Sequence, residues 1–200
     1  MEEKRFEAVV IGASAGGVQA LTIVLQALPR EFPLPIIVVQ HVHPHSGHYL
    51  ATLLDSKCSI QVKQADEKEM IQPGVAYIAP PNYHLLIEQD RSFSLSLEGP
   101  VNYSRPAVDV LFDSACDAYR DKLIGIILTG ANHDGSQGLK RIKQRGGYVI
   151  VQDPATADAE VMPKAAIAAT PVDNILPLEQ LGPFLLQLVN RSFRRSSVRS

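Results

Sequence analysis

The chain has 200 residues, enough for one sizeable hydrophobic core and short for two domains. Hydrophobic residues make up 46% and charged residues 20%, a globular balance that excludes extensive disorder. The formal net charge of −2 offers no electrostatic attraction to nucleic acid or to an anionic membrane surface.

The first residues carry charge and run straight into an apolar stretch, without the pattern of a cleaved signal peptide. No apolar run reaches the ~20 residues that a membrane-spanning helix requires. The expectation is a soluble, cytoplasmic protein without membrane insertion. Trp is absent and aromatic residues are 6%, so Val, Ile, Leu and Ala must build the core. Cys58 and Cys116 lack C-x-x-C spacing and read as reduced thiols.

Residues 8–11 are a short β-branched run ending at Gly12, and residues 18–28 follow with apolar positions at helical spacing. Residues 35–40 (PIIVVQ) are apolar throughout, the mark of a strand buried on both faces of a parallel sheet. A loop rich in His and Pro comes next, then a helix from about residue 47 to 54. The middle differs in texture: residues 60–64, 75–79, 85–88 and 93–97 read as short strands between Pro, Gly and charged turns. The last two of these form a hairpin around residues 89–92.

Beyond Pro106 the alternation returns. A helix over 108–119, a buried strand over 123–128, a helix over 135–145 and a strand over 148–152 precede helices at 162–169 and 178–189. This rhythm predicts an α/β fold: a single doubly wound, mostly parallel sheet with helices on both faces and an antiparallel hairpin addition. One domain spans residues 1–190. Residues 191–200, with four arginines and four serines, read as a frayed tail.

Parallel sheets carry their functional loops at the carboxyl ends of the strands, and three such loops here hold unusual chemistry. The first, GASAGG at 12–17, fits the G-x-S-x-G pattern in which small neighbours let a sharp turn present a serine hydroxyl. A helix opening just after Ser14 supplies free N–H groups and a positive dipole end, both able to stabilise an oxyanion. The second begins at His41, directly after the apolar strand and within reach of Ser14 if the two strands are neighbours. The third, TGANHDG at 129–135, places Asp134 where it can cap the following helix, orient a histidine ring, or do both. A serine hydroxyl is a weak nucleophile until a base removes its proton, and the base needs a partner that fixes its tautomer. Ser14, His41 and Asp134 are therefore the expected catalytic set. Their chain order differs from that of α/β-hydrolases.

Competing readings exist for the same residues. GASAGG also suits the phosphate turn of a nucleotide-binding domain, but Ser14 takes the place of a glycine there. Gln40-His41 likewise stands where a ribose-binding carboxylate belongs. His43, His45 and His48 invite a zinc site, but no Asp or Cys accompanies them and Pro44 interrupts the run. A non-catalytic binding module of the same fold is the remaining alternative.

With these residues in view, the sequence resembles the catalytic domain of the chemotaxis-receptor methylesterase, CheB, from about residue 8 to about 188. The stretches that carry the resemblance are VVIGASAGG, VVQH, GVAYIAPPNYHLLI, SRPAVDVLFDSA, IGIILTG with Asp134-Gly135, and GGYVIVQDPATADAEVMPKAAI. The resemblance implies a hydrolase that removes methyl groups from glutamyl methyl esters on the cytoplasmic helices of chemoreceptors, with glutamine deamidation as a second activity. It implies Ser14 as nucleophile, His41 as base, Asp134 as orienting acid, and neither metal nor organic cofactor. The family usually carries a receiver domain ahead of the catalytic one, which this sequence does not include, so either the sequence is a fragment or a separate regulatory receiver or methyltransferase is an expected partner. Ala15 and Gly16 are the expected oxyanion donors. Tyr83 and Arg105 are candidates to line the substrate cleft, and His84 reads equally as a cleft residue or a structural one. The sequence departs from the family's T-G-M-G-x-D-G segment, with Ala131 and Asn132 in place of Met and Gly. Ala15 also stands where many members have Thr.

Overall fold

The computed structural model describes residues 5–41 and 49–196. Each strand run identified above pairs into a sheet because its β-branched residues suit a pleat buried on both sides. In chain order the elements are β1 (Ala8–Ala13), α1 (Gly17–Gln26), β2 (Ile36–Gln40), α2 (Tyr49–Asp55), β3 (Gln61–Gln64) and β4 (Val75–Ile78). Next come β5 (His84–Ile87), β6 (Phe93–Ser96), α3 (Val108–Tyr119), β7 (Leu123–Ile127) and α4 (Ser136–Gln144). The chain continues through β8 (Tyr148–Gln152), α5 (Val161–Ala169), β9 (Asn174–Leu176) and α6 (Leu178–Ser196).

Seven strands form one sheet in the order β3-β4-β2-β1-β7-β8-β9, and every pair in it is parallel. The chain runs from β1 through β2 to the edge at β3 and returns to β4 between β2 and β3, then crosses to β7 and winds out the other way. This reversal makes the carboxyl ends of β2, β1 and β7 the switch point, where parallel sheets open a crevice. The expected antiparallel addition is a separate two-stranded sheet, β5 with β6, whose Leu85, Ile87 and Phe93 pack into the core beside α3.

Alternation along β1 divides the core into two layers. Val9 and Ile11 face Leu21, Val24 and Leu25 of α1, Leu54 of α2, and Leu181 and Leu185 of α6. Ala8 and Val10 face Leu111 and Phe112 of α3 and Leu139 and Ile142 of α4. All of these side chains are buried. Cys58 and Cys116 are free thiols.

Two differences from the sequence reading have physical causes. β9 was not anticipated: three residues, Asn174–Leu176, are too few for a readable period, and pairing with β8 makes them a strand. The segment expected to fray at 191–200 remains helical to Ser196. Phe193 packs against the α1–α6 layer, and the Arg5 guanidinium lies 4.6 Å from its ring centroid, which holds this turn down. Of the helix expected over 47–54 the described part is α2, Tyr49–Asp55, and residues 42–48 fall outside the described residues. The proposed His43, His45 and His48 cluster falls outside them as well.

Candidate active site

Strand register brings the three loops together. Ala13 pairs with Gln40 and Gly12 with Ile127, so β1, β2 and β7 end level. Ser14 is the residue after β1, and its N–H donates to Thr129 O at 2.9 Å. His41 is the residue after β2, and its N–H donates to Ala13 O at 3.0 Å.

Gly16 makes the turn between Ser14 and α1 possible. It sits at φ +76°, a conformation that side chains strain against, and a Cβ there would lie 2.4 Å from an Asp158 carboxylate oxygen. The helix starts at Gly17, whose N–H is spent on Ser14 O at 2.8 Å. The N–H groups of Ala15 and Gly16 take no acceptor among the described residues. They stand beside the serine at the positive end of α1, as an oxyanion site requires.

Gln40, which the sequence reading noted only as a missing carboxylate, ties this turn to the next. Its buried Nε2 donates to both Ser14 O and His41 O, each at 2.8 Å. The approach depends on glycine, because a Cβ at Gly17 would stand 1.9 Å from Gln40 Oε1.

His41 Nε2 lies 2.8 Å from Asp134 Oδ2. Asp134 is 1% exposed and saturated with donors. Besides the imidazole, Oδ2 accepts from Val108 N–H at 2.6 Å, and Oδ1 accepts from Asp109 N–H at 3.1 Å and Asn102 Nδ2 at 3.0 Å. Burial alone would raise the carboxyl pKa, but the hydrogen bonds from His41, Asn102, Val108 and Asp109 outweigh it and hold the pKa below its usual value. Asp134 therefore stays ionised, as a group that orients a histidine and stabilises its imidazolium must. Neighbouring Asp109 goes the other way. Burial raises its pKa and the Asp134 charge adds to the effect, against hydrogen bonds from Gly138 N–H and Asn102.

The cap expected of Asp134 exists on a different helix. α4 starts after Gly135 without a side-chain cap, whereas the Asp134 carboxylate receives the first two N–H groups of α3. The dipole of α3 thus points its positive end at the carboxylate. Asn102 also contributes, reaching Asp134 from an exposed turn, and nothing in its local sequence signals that role.

The remaining histidine nitrogen, Nδ1, is 3.0 Å from Asn132 Nδ2. Ser14 Oγ makes no hydrogen bond among the described residues, and Ser14 and His41 follow adjoining strand ends.

The two cleft candidates His84 and Arg105 sit in different surroundings. His84 is 1% exposed. Its Nε2 bonds to Gly99 O at 3.0 Å and its Nδ1 accepts from Ala107 N–H at 3.2 Å, so it braces the entry to α3 and does not line a cleft. Arg105 donates to Leu97 O, Glu98 O and Asn82 Oδ1, and these bonds tie down the 97–105 loop. Tyr83 is partly exposed beside it, and Tyr103, next to Asn102, is fully exposed.

Comparison with known proteins agrees with this architecture. The model of the CheB methylesterase family matches residues 9–185. A putative protein-glutamate methylesterase/protein-glutamine glutaminase of Leptospira interrogans is 52% identical over 92% of this chain and 95% of its own length. A protein-glutamate methylesterase/protein-glutamine glutaminase of Thermotoga maritima is 40% identical over 90% of this chain, which spans 54% of that longer protein. The crystal structure of the Thermotoga maritima CheB methylesterase catalytic domain superposes with a TM-score of 0.88 at 39% identity, covering 92% of this chain and 99% of that one. With seven parallel strands in this order and a family match over most of its length, the chain belongs to the CheB methylesterase family.

Proposed function

We propose that the chain hydrolyses glutamyl methyl esters on chemoreceptor signalling helices, with Ser14 as nucleophile, His41 as general base and Asp134 as the carboxylate that orients it. The carrying observation is the 2.8 Å contact between His41 and a buried, ionised Asp134, one strand-end away from a serine at a helix start.

Because Nε2 is turned to Asp134, the nitrogen that accepts the serine proton is Nδ1. Ser14 Oγ bonds to the ester carbonyl carbon as its proton passes to Nδ1. The resulting oxyanion is received by the N–H groups of Ala15 and Gly16, where removal of one such donor typically costs about 10²–10³ in rate. The tetrahedral species collapses, and the methoxy group takes the proton from His41 and leaves as methanol. Water then attacks the acyl-enzyme by the same route and leaves a free glutamate side chain. Glutamine, whose leaving group is ammonia, fits the same steps, in keeping with the second activity in the relatives' names.

The exposed Tyr103, one residue from the Asn102 that bonds Asp134, offers an aromatic contact for a helix laid across the crevice. Methanol release from methylated receptor fragments tests the reading. Native protein should release methanol, while Ser14→Ala should lose about 10⁴-fold or more with its melting temperature unchanged. Release by Ser14→Ala at the native rate would overturn the assignment.

A further inference from the structure

Asn132 bridges the carboxylate loop and the base. Its Oδ1 accepts the Asp134 N–H at 3.0 Å, which orients the amide and turns Nδ2 toward His41 Nδ1, also at 3.0 Å. An amide NH₂ only donates, so the Nδ1 it meets carries a lone pair. The other ring nitrogen faces the ionised Asp134 and carries the proton. Asn132 and Asp134 together thus select the neutral Nε2–H tautomer. Nδ1 has one lone pair in the ring plane, and Asn132 occupies it. A ring protonated at Nδ1 would point N–H against N–H.

We propose that Asn132 is a positioning residue that caps the lone pair of the base in the resting protein, and that reaction begins only when its amide gives way to the Ser14 hydroxyl. The inference rests on the assignment of Ser14 and His41 above. Asn132 is half-buried in the loop between β7 and α4.

The test is the rate at which a fluorophosphonate labels Ser14 in the full chain, read beside the ring ¹⁵N resonances of His41. The resonances are assigned with a His41→Gln variant. In Asn132→Ala the labelling rate should rise about five-fold, the equilibrium equivalent of one net hydrogen bond. The Nδ1 resonance should move toward that of a nitrogen without a hydrogen bond, while Nε2 stays protonated.

Asn132→Asp keeps an acceptor for the Asp134 N–H but sets a carboxylate oxygen against Nδ1, which only a protonated ring satisfies. Its labelling should fall below native. An Asn132→Ala protein with unchanged or slower labelling and an unmoved Nδ1 resonance would overturn the cap. Labelling of Ser14→Ala at the native rate would instead defeat the nucleophile assignment. The ring resonances need no nucleophile and decide the cap in either case.

Discussion

The two rims of the sheet treat a carboxylate in opposite ways. At the carboxyl rim Asp134 is buried and receives N–H groups from the start of α3, the Asn102 amide and the His41 ring. At the amino rim Glu7 is partly exposed and pairs with Lys122 at 2.6 Å and with Arg91, two side chains half open to water. The amino rim also holds the roomier concavity. A cavity of about 480 Å³ is lined there by Arg5, Phe6, Glu7, Arg91, Tyr119 and Lys122, against about 130 Å³ beside Gly16 and Thr129 at the carboxyl rim. Volume and formal ion pairs both point to the amino rim. Fixed dipoles aimed at a desolvated charge point to the other, and they are what a developing charge needs.

Breaking the carboxyl rim should have the largest effect. Asp134→Ala leaves the Val108 and Asp109 N–H groups and the Asn102 amide without their acceptor, and it frees the tautomer of His41. Turnover should fall about 10³–10⁴-fold, and stability should drop by about 2–3 kcal/mol through the unmet donors. Asp134→Asn keeps the shape and one acceptor oxygen. It should recover much of the stability while remaining nearly inactive. Methanol release and urea denaturation read the two effects separately, and an active Asp134→Asn protein would contradict the role given to the charge.

Next in size is Gln40, which connects the serine turn and the histidine turn without touching substrate. Gln40→Leu keeps the bulk but leaves Ser14 O and His41 O without their donor. We expect a stability loss of about 1–3 kcal/mol and a rate loss of about ten-fold, seen in kcat with KM little changed. A loss confined to KM would place Gln40 at the substrate and not behind the catalytic pair.

How these residues read in the sequence follows from what each depends on. That Ser14, His41 and the loop carrying Asp134 meet at one rim is legible because Ser14 and His41 directly follow apolar strands, the loop follows a third, and a parallel sheet gathers strand ends by construction. The sheet was legible for the same reason: β1, β2, β7 and β8 are continuous apolar runs. Asn102 and Gln40 were not legible in these roles, since their partners lie 32 and 26 residues away and are met only after docking of loops. His84, in a loop-like A-P-P-N-Y-H segment, suits a cleft or a structural role equally in the sequence. Pairing of β5 with β6 draws it inward, between Gly99 O and the N–H of Ala107. The cap by Asp134 went to α3 and not to its own helix because Gly135 turns the chain in a left-handed conformation, φ +91°, before α4 begins.

The smallest effect is expected at the amino rim, and its sign with pH can be worked out. Burial works to raise the Glu7 pKa, but the hydrogen bond and charge of Lys122 and the charge of Arg91 hold it below the ordinary value. A carboxylate with a lowered folded-state pKa contributes stability in full above its unfolded value, about 4.3, and loses it as pH falls through the folded value. Arg91 and Lys122 are 46% and 49% exposed, so water and salt screen the pair and the contribution is about 1 kcal/mol or less. Glu7→Gln should therefore lower stability by that small amount at pH 7. The gap to the native protein should close as pH drops below about 4, and added salt should shrink it at neutral pH. Methanol release should be unchanged, because the Glu7 pairs meet the sheet at the opposite end from Ser14. A ten-fold loss of release in Glu7→Gln would mean that the two rims are coupled through the sheet, and the amino-rim cavity would then have to be counted as part of the functional apparatus.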